Sequence, residues 1–305
     1  MRYLVTGAAG FIGSQLLRTL LERGHDAVGW DAFTDYYDPA LKEENAAGLP
    51  VERVDVAEDE LELDGFDGVF HLAGQPGVAS FGGVFPVYVR QNILASQRLF
   101  EAAVAAGVRV TFASSSSIYG DAATYPTPED TRPLPLAPYG ITKLACEHLA
   151  GAYASEFGLE VVTVRYFTIY GPRQRPDMAF TKMVACLAEG RPFELYGDGG
   201  QSRSFTYVDD AVEATIAAME RAAPGSTFNV GGGTEVSMLD VIETLGRIAK
   251  RRLEVVRMPR REGDAARTAA DTRRIREAVG WEPTTTFEEG LAAQWRWAAA
   301  RVAAA

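Results

Sequence analysis

Two residues in the stretch PYGITK, Tyr139 and Lys143, have the clearest capacity for chemistry in this sequence. They stand four positions apart, a spacing that puts both side chains on one face of a helix. A phenol ionises near pH ~10, so tyrosine acts as a base at neutral pH only where a cation stabilises the phenolate. The ammonium group of Lys143 can supply that charge. The pair indicates a site of proton removal, although the same spacing also occurs by chance on many helices.

Four consecutive serines at positions 114–117 lie between an apolar run and the dipeptide Tyr119-Gly120. A serine run usually indicates a flexible linker. Here it directly follows the predicted strand at residues 109–114, where a linker is not expected. We interpret the run as the floor of a site that requires small hydroxyl groups and contains no acid.

A glycine-rich stretch, VTGAAGFIG, follows the first predicted strand and opens the first predicted helix. Glycine at positions 7, 10 and 13 lets the backbone approach a pyrophosphate, and the helix N-terminus favours its negative charge. Asp31 ends the second predicted strand, where a carboxylate accepts the ribose hydroxyls and repels a 2′-phosphate. No arginine follows in DAFTDYY, so the pattern predicts NAD and not NADP as cofactor. The alternative for Asp31 is a solvated aspartate in a turn.

The composition restricts the classes of protein that this chain can be. It has 305 residues, of which 47% are apolar and 23% charged, as in ordinary globular proteins. The formal net charge of −11 argues against a binder of nucleic acids or of membrane surfaces. No apolar stretch approaches the ~18 residues that a membrane span needs. We therefore expect a small-molecule ligand, with neither a nucleic acid nor a membrane as partner.

Cysteine usage and the start of the chain bear on its location. Cys146 and Cys186 stand forty positions apart and form neither a disulfide framework nor a cysteine–histidine cluster, so no metal site is predicted. Thiols of this kind are typical of a reducing compartment. The opening MRYLVTG leads straight into a strand-like run, which predicts no signal peptide. We expect a cytoplasmic protein.

Short apolar runs alternate with helix-length segments over the first half of the chain. The predicted strands cover residues 3–6, 26–30, 51–55, 68–73, 109–114 and 161–166. The predicted helices between them cover residues 11–23, 87–106 and 139–157. This alternation predicts an α/β fold, a Rossmann-type doubly wound parallel sheet with helices on both faces.

After position 170 glycine and proline recur, which predicts a smaller, looser lobe. We predict an NAD-binding Rossmann domain over residues 1–170, with returning segments near 206–230. A substrate-binding lobe is predicted over residues 171–205 and 231–305.

Taken together, the glycine loop, Asp31, HLAG, SSSSIYG, YGITK and FTYVDDA resemble the extended short-chain dehydrogenase/reductases that act on nucleotide sugars. The resemblance covers nearly the whole chain. It implies that Ser115, Tyr139 and Lys143 surround the sugar C4 as catalytic residues, next to NAD. Asp55 and Val56 end the third predicted strand and are expected near the adenine amino group, or are a plain strand end. The remaining predicted NAD contacts lie in the glycine loop or in HLAG: Gly7, Gly10, Phe11, Ile12, Gly13, Leu72, Ala73 and Gly74.

The two residues after Ser115 distinguish the reactions of this group. In the resemblance, sugar-nucleotide 4,6-dehydratases carry Asp-Glu there, and uronate decarboxylases carry a glutamate at the second position. This chain has Ser116 and Ser117. A general acid needs an ionisable group of suitable pKa, which serine lacks. What remains is the simplest chemistry, oxidation of the sugar C4 followed by its reduction.

The segment RYFTIYGPRQRPDMAF, together with TDYYDPALKEEN, most closely resembles the UDP-glucuronate 4-epimerases. This resemblance implies NAD as cofactor and a UDP-hexuronic acid as substrate. Arginine forks suit carboxylates and phosphates, which agrees with arginines in these loops of an acidic chain. The implied substrate contacts are Ser116, Ser117, Thr168 and Arg175 on the sugar carboxylate, Arg203, Arg261 and Asp264 on the diphosphate and ribose, and Asn92 below the site.

Some features leave alternatives open. Ala79 stands where related sequences often have an arginine, and the region 35–49 is short for the family. UDP-glucose/galactose-type 4-epimerisation, UDP-glucuronate decarboxylation and a non-catalytic NAD-binding regulator are the other hypotheses. The family resemblance also implies a homodimer that pairs through the helices at 93–104 and 139–157. The apolar stripe of Ile93, Leu99, Phe100 and Val104 fits such a contact, but a stripe that faces the sheet explains the pattern equally well.

Overall fold

The computed structural model describes residues 1–77, 81, 83–232, 235–259 and 267–304. Within these ranges, seven strands form one parallel sheet in the order β10-β6-β5-β4-β1-β2-β3. The strands are β1 Arg2–Thr6, β2 Asp26–Asp31, β3 Val51–Arg53, β4 Gly68–His71, β5 Arg109–Ser115, β6 Val161–Tyr166, β7 Thr168–Tyr170, β8 Phe193–Tyr196, β9 Ser202–Tyr207, β10 Thr227–Val230, β11 Glu235–Ser237, β12 Val255–Met258 and β13 Arg267–Thr268.

Helices cover both faces of this sheet. The helices are α1 Phe11–Glu22, α2 Pro39–Ala46, α3 Phe85–Tyr88, α4 Ala95–Ala106, α5 Pro138–Phe157, α6 Ala179–Glu189, α7 Val208–Arg221, α8 Met238–Ala249, α9 Arg273–Val279 and α10 Phe287–Ala304. Along β1, Leu4 belongs to the core under α4 and α5, whereas its neighbours Tyr3 and Val5 belong to the core under α1 and α7. Because successive side chains of a strand point to opposite faces, the sheet is buried on both sides. The predicted Rossmann-type doubly wound fold is confirmed.

The carboxyl ends of β1 and β4 create a crevice at one edge of the sheet. Strand β1 pairs with β2 on one side and with β4 on the other, so the connections leave in opposite directions at this point. Ligands of open α/β sheets bind at such switch points. The glycine loop, HLAG and the serine run follow β1, β4 and β5 and therefore reach the same edge.

The predicted helix over 87–106 is interrupted. Helix α3 continues into a π-helical turn at Val89–Leu94 and then into α4. Asn92 lies in this turn and is fully buried. An extra residue in a helical turn shifts the phase of the side chains, and such turns are frequent at functional sites. No feature of the hydrophobic pattern indicates where the turn falls.

One other boundary differs from the sequence predictions, and one helix is not predicted from the sequence. The third strand ends at Arg53, so Asp55 and Val56 lie in the turn that follows it. The polar region 35–47 contains α2, which begins because Pro39 stands at its first turn and Asp38 accepts a hydrogen bond from the Ala40 amide at 3.0 Å.

A second lobe packs beside the sheet. It comprises β7 to β9 and β11 to β13 with helices α6, α8 and α10. Its core is built by aromatic and aliphatic side chains such as Tyr170, Phe180 and Phe205. Strand β10 returns to the main sheet beside β6, within the region near 206–230 where the sequence predicts returning segments. None of the described helices is both long and apolar enough to cross a membrane.

The apolar stripe of α4 faces the protein's own interior. Leu99 and Phe100 are fully buried in the core, and Ile93 and Val104 pack against it. Of the two explanations for this stripe, the structure supports the one in which it faces the sheet. The stripe therefore provides no surface for a second copy.

A buried ion pair ties α5 to the centre of the sheet. The guanidinium of Arg165 on β6 donates to both oxygens of Glu147, at 3.0 and 2.7 Å, and Ser114 Oγ donates to the same carboxylate at 2.5 Å. The two charged side chains are 9% and 11% exposed. Arg165 also donates to the hydroxyl of Tyr119 at 2.7 Å, so its charge is well satisfied. A buried charge that loses its partner is strongly destabilising.

We predict that Glu147→Gln lowers the free energy of unfolding by about 3–5 kcal/mol, because it leaves the Arg165 charge buried without its counterion. Urea unfolding followed by circular dichroism measures the loss. The matched control is Glu288→Gln, which breaks a surface pair with Arg247 whose side chains are 53% and 61% exposed. That change is expected to cost no more than about 1 kcal/mol. Equal losses in the two variants would contradict the prediction.

Candidate active site

A cleft opens at the carboxyl edge of the sheet, between the sheet and the second lobe. Its lining includes the glycine loop, the ends of β2 and β4, and the start of α5. Most of the predicted site residues contribute to it: Gly7, Gly10, Phe11, Ile12, Gly13, Asp31, Asp55, Val56, Leu72, Ala73, Gly74, Tyr139, Lys143 and Arg175.

The glycine loop is held in a shape that only glycine allows. Gly7 has a φ of +72°, and a Cβ there would lie 2.8 Å from the Ala73 amide nitrogen. At Gly13 a Cβ would lie 2.1 Å from the Gly7 carbonyl oxygen, which brings α1 against the loop. No side chain caps the N-terminus of α1 at Gly10. The first amides of this helix therefore point an uncompensated partial positive charge into the cleft.

Asp31 stands at the carboxyl end of β2, against this loop. Its carboxylate accepts hydrogen bonds from the amides of Ala9 at 3.0 Å and Phe33 at 2.7 Å. Each carboxylate oxygen can accept a further bond, so Asp31 both fixes the loop and keeps acceptors for a ligand. Asp55 lies nearby and pairs with Arg90 at 2.9 Å.

Tyr139 and Lys143 reach the cleft from the first turns of α5. The Lys143 ammonium is buried and donates to the Ala113 carbonyl oxygen at 2.8 Å. A Cβ at Gly74 would lie 3.4 Å from this nitrogen and 2.7 Å from Asn92 Oδ1, so the loop after β4 passes close over both groups. Tyr139 is half-buried one helical turn earlier. A fixed positive charge thus lies on the same helix face as the phenol.

The serine run forms a tight turn at the end of β5. Ser115 Oγ accepts from the Ser117 amide at 3.2 Å and donates to Ser117 Oγ at 3.1 Å. A Cβ at Gly140 would lie 2.4 Å from the Ser117 carbonyl oxygen. The glycine after Tyr139 therefore lets the start of α5 approach the serine turn. Ser114 itself lines the cleft, and Ser115, Ser116 and Ser117 follow it in the chain.

The other predicted substrate contacts either do not line the cleft or lie outside the described residues. Asn92 accepts from the Gln75 amide at 2.7 Å and donates to Thr142 Oγ1 at 2.9 Å, so it ties the loop after β4 to α5. Thr168 begins β7, and Arg203 lies on the neighbouring β9 and donates to the Ser202 carbonyl oxygen. Arg261, Asp264 and the noted Ala79 lie outside the described residues.

Comparison with known proteins places these features in one group. The sequence profile of the NAD dependent epimerase/dehydratase family matches residues 3–231. The Uncharacterized UDP-glucose epimerase YtcB of Bacillus subtilis is 38% identical over 303 residues, 95% of this chain and 96% of that protein. The crystal structure of UDP-glucuronic acid 4-epimerase from Bacillus cereus, in complex with UDP-glucuronic acid and NAD, superimposes with a TM-score of 0.94 at 38% identity, over 98% of this chain and 99% of that chain. MoeE5 in complex with UDP-glucuronic acid and NAD gives a TM-score of 0.88 at 41% identity, over 97% and 98%.

This chain belongs to the NAD-dependent epimerase/dehydratase family.

The residues present fit the cofactor of this family. The glycine loop leaves space that a Cβ would fill, and the uncapped end of α1 meets a pyrophosphate with partial positive charge. Asp31 offers acceptors to ribose hydroxyls at the distance along the chain that a dinucleotide site requires. Leu72, Ala73 and Gly74 also line the cleft, with Leu72 and Ala73 directly beside Gly7.

The sequence does not predict the surroundings of two titratable groups near the cleft. Lys42 on α2 lines the cleft, is buried, and donates to Thr34 Oγ1 at 2.9 Å. Burial lowers its pKa, which the negative charges of Asp31 and Asp35 partly oppose. A lysine in a polar segment such as TDYYDPALKEEN is ordinarily exposed, so the sequence does not indicate this burial.

The second is His71, the histidine of HLAG. It lies fully buried between Thr6 Oγ1 at 2.8 Å and Ser96 Oγ at 3.1 Å. Burial and the nearby charge of Lys143 lower its pKa to about 3, so the ring is neutral at pH 7. His71 therefore adds no positive charge beside Lys143 at pH 7.

We predict that Gly13→Ala weakens NAD binding at least tenfold, because the methyl group cannot fit against the Gly7 carbonyl without moving the loop. Isothermal titration with NAD measures the change. Gly151→Ala in α5, where a Cβ meets nothing within 4 Å, is the matched control and should leave the affinity unchanged. Wild-type affinity in the Gly13 variant would show that the loop does not hold the dinucleotide in this way.

Proposed function

We propose that this protein is an NAD-dependent UDP-glucuronate 4-epimerase, which interconverts UDP-glucuronate and UDP-galacturonate through a transient 4-keto sugar. The observation that carries the proposal is that Tyr139, Lys143 and Arg175 line one cleft with the dinucleotide loop. Proton chemistry and recognition of an anion are thereby combined at one site. The absence of an acid at positions 116 and 117 supports epimerisation over loss of water.

In the proposed mechanism Tyr139 takes the proton of the sugar C4 hydroxyl and later returns it. Lys143, whose ammonium is fixed by the Ala113 carbonyl, stabilises the phenolate. Ser115 turns its hydroxyl from Ser117 to the sugar O4 and holds that oxygen. Bound NAD supplies the acceptor for the C4 hydride and its source on return, so the reaction has no net redox change. The keto sugar must rotate about its link to the diphosphate before its other face is reduced.

Holding the sugar carboxylate is part of the proposal. A 4-keto uronate is a β-keto acid, which loses CO₂ when its C5–C6 bond aligns with the carbonyl π system. Arg175, Thr168, Ser116 and Ser117 would fix the carboxylate out of that alignment. Arg203, Arg261 and Asp264 would hold the diphosphate and ribose, and Asn92 would support the sugar pocket from below through the loop after β4.

UDP-glucose 4-epimerisation is the second candidate. The relative from Bacillus subtilis carries that name, and Arg175 is already engaged by the carboxylate of Asp177, so a neutral sugar need not leave its charge unpaired. Both reactions use the same proton chemistry. They differ in what Arg175 contacts.

We also propose that the protein is a cytoplasmic homodimer in which separate parts of the chain bind NAD and the substrate.

Two free, buried thiols are typical of a reducing compartment. Leu94, the last residue of the π-helical turn, and Ile141, in the first turn of α5, expose apolar side chains, which suits pairing with a second copy. Residues 1–170 and those near 206–230 would bind NAD, and residues 171–205 and 231–305 would bind the substrate.

We predict that the purified protein with NAD converts UDP-glucuronate to UDP-galacturonate, as observed by NMR of the sugar. Tyr139→Phe should lower kcat by about 10²–10⁴-fold, because it removes the group that transfers the proton. A UDP-pentose as the main wild-type product would instead indicate a decarboxylase. Near-normal turnover by the Tyr139 variant would remove this residue from the mechanism.

We predict that Arg175→Ala raises KM for UDP-glucuronate by about 10–100-fold, since a hydrogen-bonded charge pair contributes about 1.5–3 kcal/mol. UDP-glucose serves as the internal control, because it lacks the carboxylate and should retain its KM. Initial rates with both substrates test this, and a trace of UDP-pentose should appear with the uronate. An unchanged KM for the uronate would defeat the carboxylate assignment.

A further inference from the structure

Gln174 ties the segment that carries Arg175 to three elements of the second lobe. Its buried side chain donates to the Ile169 carbonyl on β7 at 3.0 Å. Its Oε1 accepts from the amide and hydroxyl of Thr181 on α6, at 3.2 and 3.1 Å. The same oxygen accepts from Gln294 Nε2 on α10 at 3.0 Å. One amide group thus joins β7, α6 and α10 at the residue before Arg175.

The backbone at this point is strained. Arg173 has a φ of +65°, a left-handed conformation that costs a non-glycine residue roughly 1–2 kcal/mol. Such conformations persist only where the surrounding contacts over-determine them, and they cluster at functional sites. Here the turn places Gln174 in the interior of the lobe and Arg175 at the cleft. The amide of Gln174 closes the turn by donating to the Gly171 carbonyl at 3.2 Å, and the side-chain hydrogen bonds of Gln174 anchor the residue that follows Arg173.

The side chain of Arg175 is held by Asp177, which binds its guanidinium. Its Nε and one terminal nitrogen each donate to a separate oxygen of Asp177 at 3.0 Å. Burial alone would raise the pKa of Asp177, but hydrogen bonds and charge from Arg175 outweigh it and hold that pKa below its usual range. This fork uses two of the five N–H donors of arginine. Donors therefore remain for a ligand in the cleft.

We propose that Gln174 is a positioning residue that fixes Arg175 for recognition of the sugar carboxylate. The inference rests on the proposed function, since it concerns selection of a uronate over a neutral sugar. An amide suits the position because the Ile169 carbonyl needs a donor while Thr181 needs an acceptor. A glutamate would lack the donor, and a methionine of similar length would lack both.

A double-mutant cycle tests the proposal. Gln174→Met keeps the length of the side chain and removes its hydrogen bonds. We expect it to raise KM for UDP-glucuronate about tenfold, with kcat and the KM for UDP-glucose changed less than twofold. In an Arg175→Ala background the same change should have no further effect on KM for the uronate, because Gln174 acts through Arg175.

Two further variants separate positioning from general destabilisation. Gln294→Leu removes one donor to Gln174 Oε1, so it should raise KM for UDP-glucuronate by a smaller factor than Gln174→Met and leave KM for UDP-glucose within twofold. Thr181→Val removes the hydroxyl donor and keeps the amide, so it should raise KM for the uronate in the same direction by a smaller factor. Urea unfolding of each variant shows whether it folds. If Gln174→Met does not fold, Thr181→Val still tests the positioning role.

Three results would overturn the positioning role. They are an unchanged KM for the uronate in the Gln174 and Thr181 variants, an equal rise for both substrates, and a full additional effect in the Arg175→Ala background. A wild-type protein that does not convert UDP-glucuronate would instead refute the proposed function. The two failures are distinguished before any variant is compared.

Discussion

The buried pair of Glu147 and Arg165 is the constraint on which the arrangement of the cleft depends. Both charges lie between the sheet and α5, where neither can be left without its partner. Ser114 donates a further hydrogen bond to the Glu147 carboxylate. These hydrogen bonds therefore fix α5 relative to the end of β5 and to β6. Tyr139, Lys143 and Glu147 recur at four-residue intervals on α5. Because Glu147 is fixed, Tyr139 and Lys143 on the same helix face are directed towards the strand ends.

In the proposed mechanism two different parts of the chain supply chemistry and selectivity. The sheet side carries the dinucleotide loop, the neutral His71 and the fixed ammonium of Lys143. The segment after β7 carries Arg175, held between Gln174 and Asp177. In the proposed mechanism the first part acts on the C4 hydroxyl, whereas the second recognises the group attached at C5. Reaction and recognition would thus be located in separate parts of the chain.

The sequence predicts the parts of the structure that depend on local rules. The glycine loop, the strand that ends in Asp31 and the helix that carries Tyr139 follow from turn chemistry, periodicity and spacing. The partners of Gln174 stand up to 120 positions away, and the π-helical turn at Asn92 breaks no pattern in the chain. Lys42 is buried by tertiary packing that its polar helix does not indicate. These groups are set by long-range contacts, which no window of sequence contains.

The contact of α10 with Gln174 has a consequence for the order in which the protein matures. Gln294 stands 120 positions after Gln174, so the two amides cannot meet until the chain has been synthesised as far as α10. The sheet and its glycine loop are complete by residue 230, whereas the side chain of Gln174 lacks this partner until α10 follows. In a nascent chain the glycine loop can therefore take its shape before the turn that precedes Arg175 has all of its supports.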